Sequence, residues 1–266
     1  MTIIEEINDN VFAISSVVST ARERSWIPPG TEGHEPFNKY FFRSHNSALL
    51  IDTGVAAHRD NMLEALEKLL GSRDLTVMVT RSELECIGNL GSIVDKFPAL
   101  RLLSVTKNLP LLGLAHFKIE PRITARARRI ALGDTLDEFD FANLRVCEPL
   151  VRLLSTIWLI DEKTNSLFSS DFFSGDLMQK IDTPLQRHDM QNLPSIDFIR
   201  KHFLAKFDWF EEATTKGIQN RWDSFFQEFS PSMIAPSFGR IQVGPIITDC
   251  LIARYKEALF PSNCDF

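Results

Sequence analysis

Histidine and cysteine are the residue types in this chain best suited to bind a transition metal, and their spacing provides no local metal site. The nearest two of the six histidines, His34 and His45, are eleven positions apart, so HxH and HxxxH pairs are absent. The four cysteines are widely spaced and include no CxxC pair, which is typical of reduced thiols in a cytosolic protein. A chemical site in this chain must therefore combine residues that are distant in the sequence.

Four short polar motifs supply the remaining candidates for chemistry. The first of them ends an apolar run in Asp-Thr-Gly, and a buried strand that stops at these residues commonly faces a cleft. The motifs are ALLIDTG (Ala48–Gly54), TRSELECIG (Thr80–Gly88), LFSSDFFSG (Leu167–Gly175) and IAPSFG (Ile234–Gly239).

Short apolar segments predict the strands that position these motifs, and a 3.6-residue apolar repeat predicts the helices. The predicted strands are Ile3–Ile7, Val11–Val18, Tyr40–Arg43, Ala48–Ile51, Leu75–Val79, Leu100–Val105, Arg129–Leu132, Leu144–Val146, Ser155–Ile160 and Met233–Ala235. The predicted helical regions are His58–Leu70, which Gly71 ends, then Gly88–Lys96, Ser195–Phe229 and Ile246–Leu259. This alternation favours an α/β fold.

The composition indicates one cytoplasmic α/β domain over residues 1–266. The chain has 24% charged residues, 44% hydrophobic residues and a net charge of −6. It contains no apolar run of about 18 residues that would cross a membrane, and the acidic residues among the first ten argue against a secretory signal. Its one basic cluster is short, so we expect no nucleic-acid partner. That cluster is Arg122, Arg126, Arg128 and Arg129.

Taken together, the four motifs resemble those of the metallo-β-lactamase superfamily in order and spacing. They are most similar to the oxygen-binding di-iron proteins and to the β-lactamase-like half of flavo-diiron proteins. The resemblance runs from the first strand to about Gly239, which is nearly the whole chain. It implies a four-layer αββα sandwich with a cleft at the strand ends, and we expect an isolated domain of this kind without a flavodoxin-like extension.

The resemblance also implies which positions correspond to the family's metal ligands. In the family, the ligands lie on a THxHxDHxG or HxExDH loop, followed by a further His, a bridging Asp and a last His. The corresponding positions here are Arg81, Glu83, Glu85 and Cys86 on the loop, Arg152 for the further His, Asp171 for the bridging Asp and Phe238 for the last His. None of the usual histidines remains.

The side chains at these positions are poorly suited to the usual dinuclear centre. A guanidinium has no lone pair and stays protonated, so Arg81 and Arg152 are not ordinary ligands. Phe238 has no donor atom. Three carboxylates crowded without a cation would repel one another, whereas two arginines could neutralise them through bidentate pairs. We therefore interpret the site as a salt-bridged relic of a metal centre, with no cofactor.

The first functional hypothesis is a non-hydrolytic protein that binds a small anionic or apolar molecule, or a protein partner, in the former active-site cleft. Arg81 and Arg152 would bind an acidic group. Phe238, Phe172 and Phe173 would form apolar walls.

The second hypothesis is an enzyme with a rebuilt site, whose catalytic residues are unknown. One version places a mononuclear metal on Glu83, Glu85 and Asp171, where oxygen ligands favour a hard or iron-like ion, for hydrolysis or iron-dependent oxygen chemistry. The other is a metal-free reaction at Cys86, whose thiolate would need a cation such as Arg81 beside it.

Simpler interpretations exist for several of these residues. Asp52 is expected to be a structural hydrogen-bond acceptor, and Cys86 a small buried residue. The Phe198–Phe210 stripe is more typical of a core than of a cofactor site. A third possibility, a dimerising scaffold, would use the loop Trp26–Pro36 or the Phe-rich helices as a homodimer interface. In that loop, His34 and Glu35 could instead cover the cleft.

Overall fold

The computed structural model describes residues 2–21, 27–105, 127–151 and 155–261 of the 266-residue chain. The chain forms two compact units. The first comprises Met1–Ser16 and Phe37–Glu162, and the second comprises Val17–Pro36 and Lys163–Phe266. No helix among the described residues is long and apolar enough to cross a membrane. The single domain expected over residues 1–266 stays a prediction.

The first of two seven-stranded sheets follows the chain order. Its strands, in hydrogen-bonded order, are β1 (Thr2–Asn8), β2 (Val11–Ser19), β3 (His34–Arg43), β4 (Ser47–Ile51), β5 (Asp74–Met78), β6 (Arg101–Ser104) and β7 (Ala127–Arg129). The pairs β1/β2 and β3/β4 are antiparallel, whereas β4 to β7 are parallel. The segments that follow β4 and β5 therefore leave the sheet at the same edge.

The second sheet has a different order. Its strands, in hydrogen-bonded order, are β12 (Gln186–Arg187), β14 (Ile241–Val243), β13 (Met233–Pro236), β11 (Ser166–Ser170), β10 (Trp158–Asp161), β9 (Phe141–Cys147) and β8 (Thr135–Leu136). Because β11 and β13 are parallel neighbours, the residues that follow these two strands also lie together.

Helices in the first unit connect its parallel strands and bury their apolar sides. They are α1 (Arg59–Leu70), α2 (Leu84–Ile87) and α3 (Leu90–Lys96). Leu66 and Ile93 of these helices pack in one core cluster with Leu50 and Val77 of the sheet, and all four are fully buried. This continuous apolar contact fixes the loops between strand and helix, where the candidate residues lie.

An aromatic core organises the second unit. Its helices are α4 (Ile196–Leu204), α5 (Lys216–Glu228) and α6 (Pro245–Leu259), and α4 packs on α6. Phe173 lies 4.8 Å from Tyr255 and 5.9 Å from Trp222 between ring centroids, and all three residues are buried. Such tilted and edge-to-face contacts are favourable beyond the area that they bury.

The predicted α/β fold is confirmed, as are the β3/β4 hairpin and the end of α1 at Gly71, which has a φ of 59°. Several expectations were wrong in extent. The strand predicted at Tyr40–Arg43 is His34–Arg43, and the one predicted at Ser155–Ile160 is Trp158–Asp161. The strand predicted at Arg129–Leu132 is Ala127–Arg129. The helical region Ser195–Phe229 is two α-helices separated by a 3-10 turn at Asp208–Glu212.

Candidate functional site

The Asp-Thr-Gly turn after β4 is hydrogen-bonded to Thr80, which lies two positions after the end of β5. Asp52 has a φ of 61° and is 2% exposed. Its Oδ1 accepts a hydrogen bond from the Thr80 backbone N–H and its Oδ2 accepts one from the Thr80 hydroxyl, both at 2.8 Å. Burial raises the pKa of Asp52, while the hydrogen bonds from Thr80 act in the opposite direction. Asp52 acts as a structural acceptor in this turn.

The next loop brings three candidate residues into contact with the guanidinium of a fourth, Arg81. Arg81 is 1% exposed, and its Nε donates to Cys86 Sγ at 3.2 Å. One terminal nitrogen lies 2.8 Å from Glu83 Oε2, and the other lies 3.6 Å from Glu85 Oε1. The two carboxylate side chains keep 24% and 15% of their surface exposed. Arg81 is therefore a buried cation surrounded by the other candidates of its loop.

The Cys86 thiol is held in its neutral form. Burial raises its pKa well above the usual value, and the opposing effect of the Arg81 charge is smaller. The thiolate is the nucleophilic form of cysteine, so this environment does not favour a metal-free reaction at Cys86.

Backbone contacts hold this loop against the Asp-Thr-Gly turn. The Thr53 hydroxyl and backbone N–H both donate to the Cys86 carbonyl, at 2.8 and 2.7 Å. The Asn89 side-chain amide donates to the Thr53 carbonyl at 2.8 Å. A Cβ atom at Gly88 would lie 2.6 Å from the Leu84 carbonyl oxygen. Position 88 therefore requires glycine for the loop to reach the turn.

In the second unit, two other candidates share a lysine. Asp171 follows β11, Phe238 follows β13 after one intervening residue, and each is 2% exposed. The Lys206 ammonium nitrogen lies 3.2 Å from Asp171 Oδ2 and 5.0 Å from the centroid of the Phe238 ring. Sequence reasoning missed Lys206, because no local motif indicates that the segment after α4 returns to these strand ends.

The two phenylalanines expected as walls of a cleft lie within the aromatic core of the second unit. Phe172 and Phe173 are each 1% exposed. Phe172 contacts Phe203 and Tyr255 at centroid distances of 5.7 and 5.6 Å. Both rings therefore have packing partners from the helices of this unit.

Other predicted residues are placed as follows. Arg152 and Trp26 lie outside the described residues. His34 and Glu35 are the first two residues of β3 rather than part of a loop that covers a cleft, and His34 exchanges two backbone hydrogen bonds with Met178. Glu35 is 1% exposed, and its Oε1 lies 3.8 Å from His202 Nε2.

The second unit also has an open groove of about 450 Å³ that contains none of the predicted site residues. Residues from segments 28–32, 175–179 and 192–201 line it. Arg254 donates to the carbonyls of Leu193 and Pro194, at 2.9 and 2.8 Å, and so supports one wall. The volume falls in the usual range for small-molecule sites.

The residues present do not fit the metal centre that the fold suggests. Across the described ranges, no group of three or more His, Cys, Asp or Glu side chains is placed to hold a metal ion. The loop carboxylates surround the Arg81 guanidinium, and Asp171 faces the Lys206 ammonium. A positively charged side chain thus lies beside the candidate carboxylates in each unit.

Comparison with solved structures shows the fold of the flavodiiron core. The chain is similar to rubredoxin oxygen:oxidoreductase from Desulfovibrio gigas, at 14% identity and a TM-score of 0.73, over 96% of this chain and 61% of that one. The Flv1 flavodiiron core from Synechocystis sp. PCC6803 gives 15% identity and a TM-score of 0.74, over 97% and 60%. The flavodiiron protein from Giardia intestinalis gives 15% and 0.68, over 96% and 59%. This chain thus spans about three fifths of their length.

No protein-family model and no curated protein sequence matches the chain. The likeness to these structures therefore concerns the fold, which is that of a metallo-β-lactamase-like domain.

Proposed function

We propose that this chain is a divergent metallo-β-lactamase-fold protein that lacks the usual dinuclear metal centre and binds a small molecule or a protein partner in the former active-site cleft. The observation that carries the proposal is the buried Arg81 guanidinium, 2.8 Å from Glu83 and 3.2 Å from the Cys86 sulfur. Arg81 occupies the first of the loop positions that the resemblance assigns to metal ligands.

Electrostatic repulsion between the Arg81 guanidinium and a metal ion supports the proposal that this loop binds no metal. A divalent ion about 5 Å from a guanidinium is repelled by about 7 kcal/mol at an effective dielectric constant of about 20. The same ion would compete with Arg81 for Glu83 and Glu85, which already neutralise that cation. The arginine therefore opposes metal binding in two ways.

The contacts of Arg81 also bear on how a ligand would bind. Its guanidinium is 1% exposed and faces the chain's own carboxylates, so an acidic ligand would have to displace them. Glu83 and Glu85 retain more exposure, and they are the residues of this loop that a ligand or partner would contact first. Arg81 then positions the two carboxylates.

The alternative is an enzyme with a carboxylate metal site on Glu83, Glu85 and Asp171, for hydrolysis or iron-dependent oxygen chemistry. The partial exposure of the two glutamates is the observation in its favour, because solvent-facing carboxylates are accessible to an ion. The two proposals predict different metal contents.

Metal analysis separates them. The protein is expressed with iron, manganese and zinc supplied, beside the double variant Glu83→Ala, Asp171→Ala. A control double variant, Glu67→Ala, Asp197→Ala, removes two exposed acids that pair with surface lysines. We expect less than about a tenth of a metal ion per chain in all three proteins. A stoichiometric metal that is lost in the first variant and kept in the control would refute the metal-free proposal.

We also propose a homodimer in the cytoplasm. Trp209, between α4 and α5, is 41% exposed although its neighbours Phe207 and Phe210 are buried. An exposed indole beside the Phe-rich helices suits a contact with a second copy of the chain. Light scattering of the native protein and of Trp209→Ser tests this, and a native monomer at micromolar concentration would contradict it.

A further inference from the structure

Lys206 lies between a carboxylate and an aromatic ring in the second unit. Its ammonium nitrogen is 3.2 Å from Asp171 Oδ2 and 5.0 Å from the centre of the Phe238 ring. The lysine side chain is 11% exposed and that of Asp171 is 1% exposed. Both contacts are within the ranges of an ion pair and a cation–π interaction, and both are strengthened by the exclusion of water.

The backbone fixes all three groups. The Ser237 N–H donates to the Ser170 carbonyl at 2.6 Å, which holds together the two chain segments that carry Phe238 and Asp171. The Lys206 N–H donates to the Phe203 carbonyl at 3.0 Å, which fixes the turn that ends α4. The Asp171 carboxylate and the Phe238 ring thus lie just after two parallel strands, and the Lys206 ammonium comes from the turn that ends α4.

The chemistry of the two strand-end groups favours an organic cation. A carboxylate supplies negative charge, and the face of a phenyl ring attracts a cation but has no lone pair for a metal ion. Because the Asp171 side chain is buried, its ionised carboxylate also needs a positive charge close to it.

We infer that Asp171 and Phe238 form a binding site for a primary ammonium ion, which this chain fills with its own Lys206. The occupant is a side chain of the same chain, and it contacts two residues at positions that the resemblance assigns to the former metal ligands. If the lysine side chain is shortened, a free alkylammonium ion of matching size should enter. The site does not depend on the function proposed above.

Chemical rescue tests the inference on the full chain. Lys206→Ala removes three carbon atoms and the ammonium group, which together match n-propylammonium. Breaking this buried pair should lower the Tm by about 10 °C. At about 50 mM, n-propylammonium chloride should restore about half of that loss, because a ligand that binds the folded state raises its stability. 1-Propanol and sodium chloride at the same concentration should restore none of it.

Three variants serve as controls. Lys201→Ala removes an exposed lysine of α4 that pairs with Asp197, and it should neither lose Tm nor respond to the amine. Lys206→Met fills most of the space without charge, so it should be destabilised and unresponsive. Lys206→Ala combined with Asp171→Asn removes both charges, so it should be more stable than Lys206→Ala and should not respond.

Each result of these Tm measurements either supports the ammonium site or contradicts it. Rescue by the amine alone, lost when Asp171 is neutralised, supports the ammonium site. A Lys206→Ala protein that is as stable as the native chain, or that the amine does not stabilise, would overturn it. If Lys206→Ala fails to fold, folding of the double variant supports the site, and failure of both variants rejects it.

Discussion

Arg187 and Asp176 form a buried bidentate ion pair in the second unit. The Arg187 Nε lies 2.5 Å from Asp176 Oδ2, and a terminal nitrogen lies 2.7 Å from Oδ1. Gln242 donates a further hydrogen bond to Asp176 at 2.8 Å, and Arg187 also donates to the Gln191 carbonyl. The pair therefore fixes the loop that leads to the groove of this unit.

We predict that Arg187→Lys is strongly destabilising although it keeps the charge. Lysine cannot reproduce the two parallel hydrogen bonds, and the carboxylate stays 3% exposed. The expected loss is about 3 kcal/mol in the free energy of unfolding, measured with urea. Arg145→Lys, in a half-exposed pair with Glu162, is the matched control and should lose less than about 0.5 kcal/mol. Equal losses in the two variants would contradict the prediction.

The Arg81 contacts lead to a prediction for the first unit. In Arg81→Met the two loop carboxylates lose their shared cation, and the Cys86 sulfur loses its donor. We expect a loss of about 3 kcal/mol in the free energy of unfolding. The control is Arg145→Met, which breaks an exposed pair with Glu162 and should cost less than about 1 kcal/mol.

A second substitution, at Glu83, tests whether the broken ion pair causes the loss of stability in Arg81→Met. Adding Glu83→Gln to Arg81→Met removes one of the two repelling charges and should recover part of the stability, which is a coupling that a double-mutant cycle measures. Full additivity of the two substitutions would show that the ion pair is not the source.

Sequence reasoning predicted the ends of the strands well. It predicted the cation Arg81 beside the candidate carboxylates and missed the cation Lys206. The apolar run Ala48–Ile51 and the glycine at position 71 have local signals, since strand burial and helix termination are properties of short segments. Lys206 has none, because its partner Asp171 is 35 positions earlier (206 − 171) and their contact depends on how α4 packs. Strand β12 has only two residues, too few for alternation to be visible.

Lys39 is predicted to make the stability of the protein rise with pH above neutrality. Its ammonium is 3% exposed and donates to the Ser16 hydroxyl at 2.9 Å and to the Phe37 carbonyl at 2.8 Å. Burial lowers the pKa of Lys39 from 10.5 to about 7, while the charge of Asp52 acts in the opposite direction.

The sign follows from proton binding in the two states. Between pH 7 and pH 10.5 the unfolded lysine keeps its proton while the folded one has released it, so the contribution of Lys39 to stability increases with pH across this window. Above about pH 9 the raised pKa values of Cys86 and Cys147 act in the opposite direction, so the slope is measured as the difference between the native chain and the Lys39 variant. The gain is about 5 kcal/mol in total, and below pH 7 this residue contributes no slope. Urea unfolding at a series of pH values measures it. Lys39→Met should remove this slope and Lys96→Met, on the surface, should keep it; a native slope retained in Lys39→Met would contradict the assignment.

Gly88 and Gly217 are predicted to respond in opposite directions to the same substitution. A Cβ at Gly88 would lie 2.6 Å from the Leu84 carbonyl oxygen and 2.8 Å from the Gly54 carbonyl oxygen. Both atoms belong to the backbone, so the loop that carries Arg81 would have to shift away from the turn. Gly88→Ala should therefore lose about 2 kcal/mol in the free energy of unfolding, through strain and lost packing.

Gly217 is in α5, and no atom lies within 4 Å of a Cβ built there. Gly217→Ala should therefore stabilise the chain by about 0.5–1 kcal/mol, because alanine loses less backbone entropy than glycine in a helix. Urea unfolding of the two variants gives both values in one experiment. If both substitutions proved stabilising, position 88 would not lie close to the carbonyl oxygens of Leu84 and Gly54. The contact between the loop that carries Arg81 and the Asp-Thr-Gly turn would then have to be rejected.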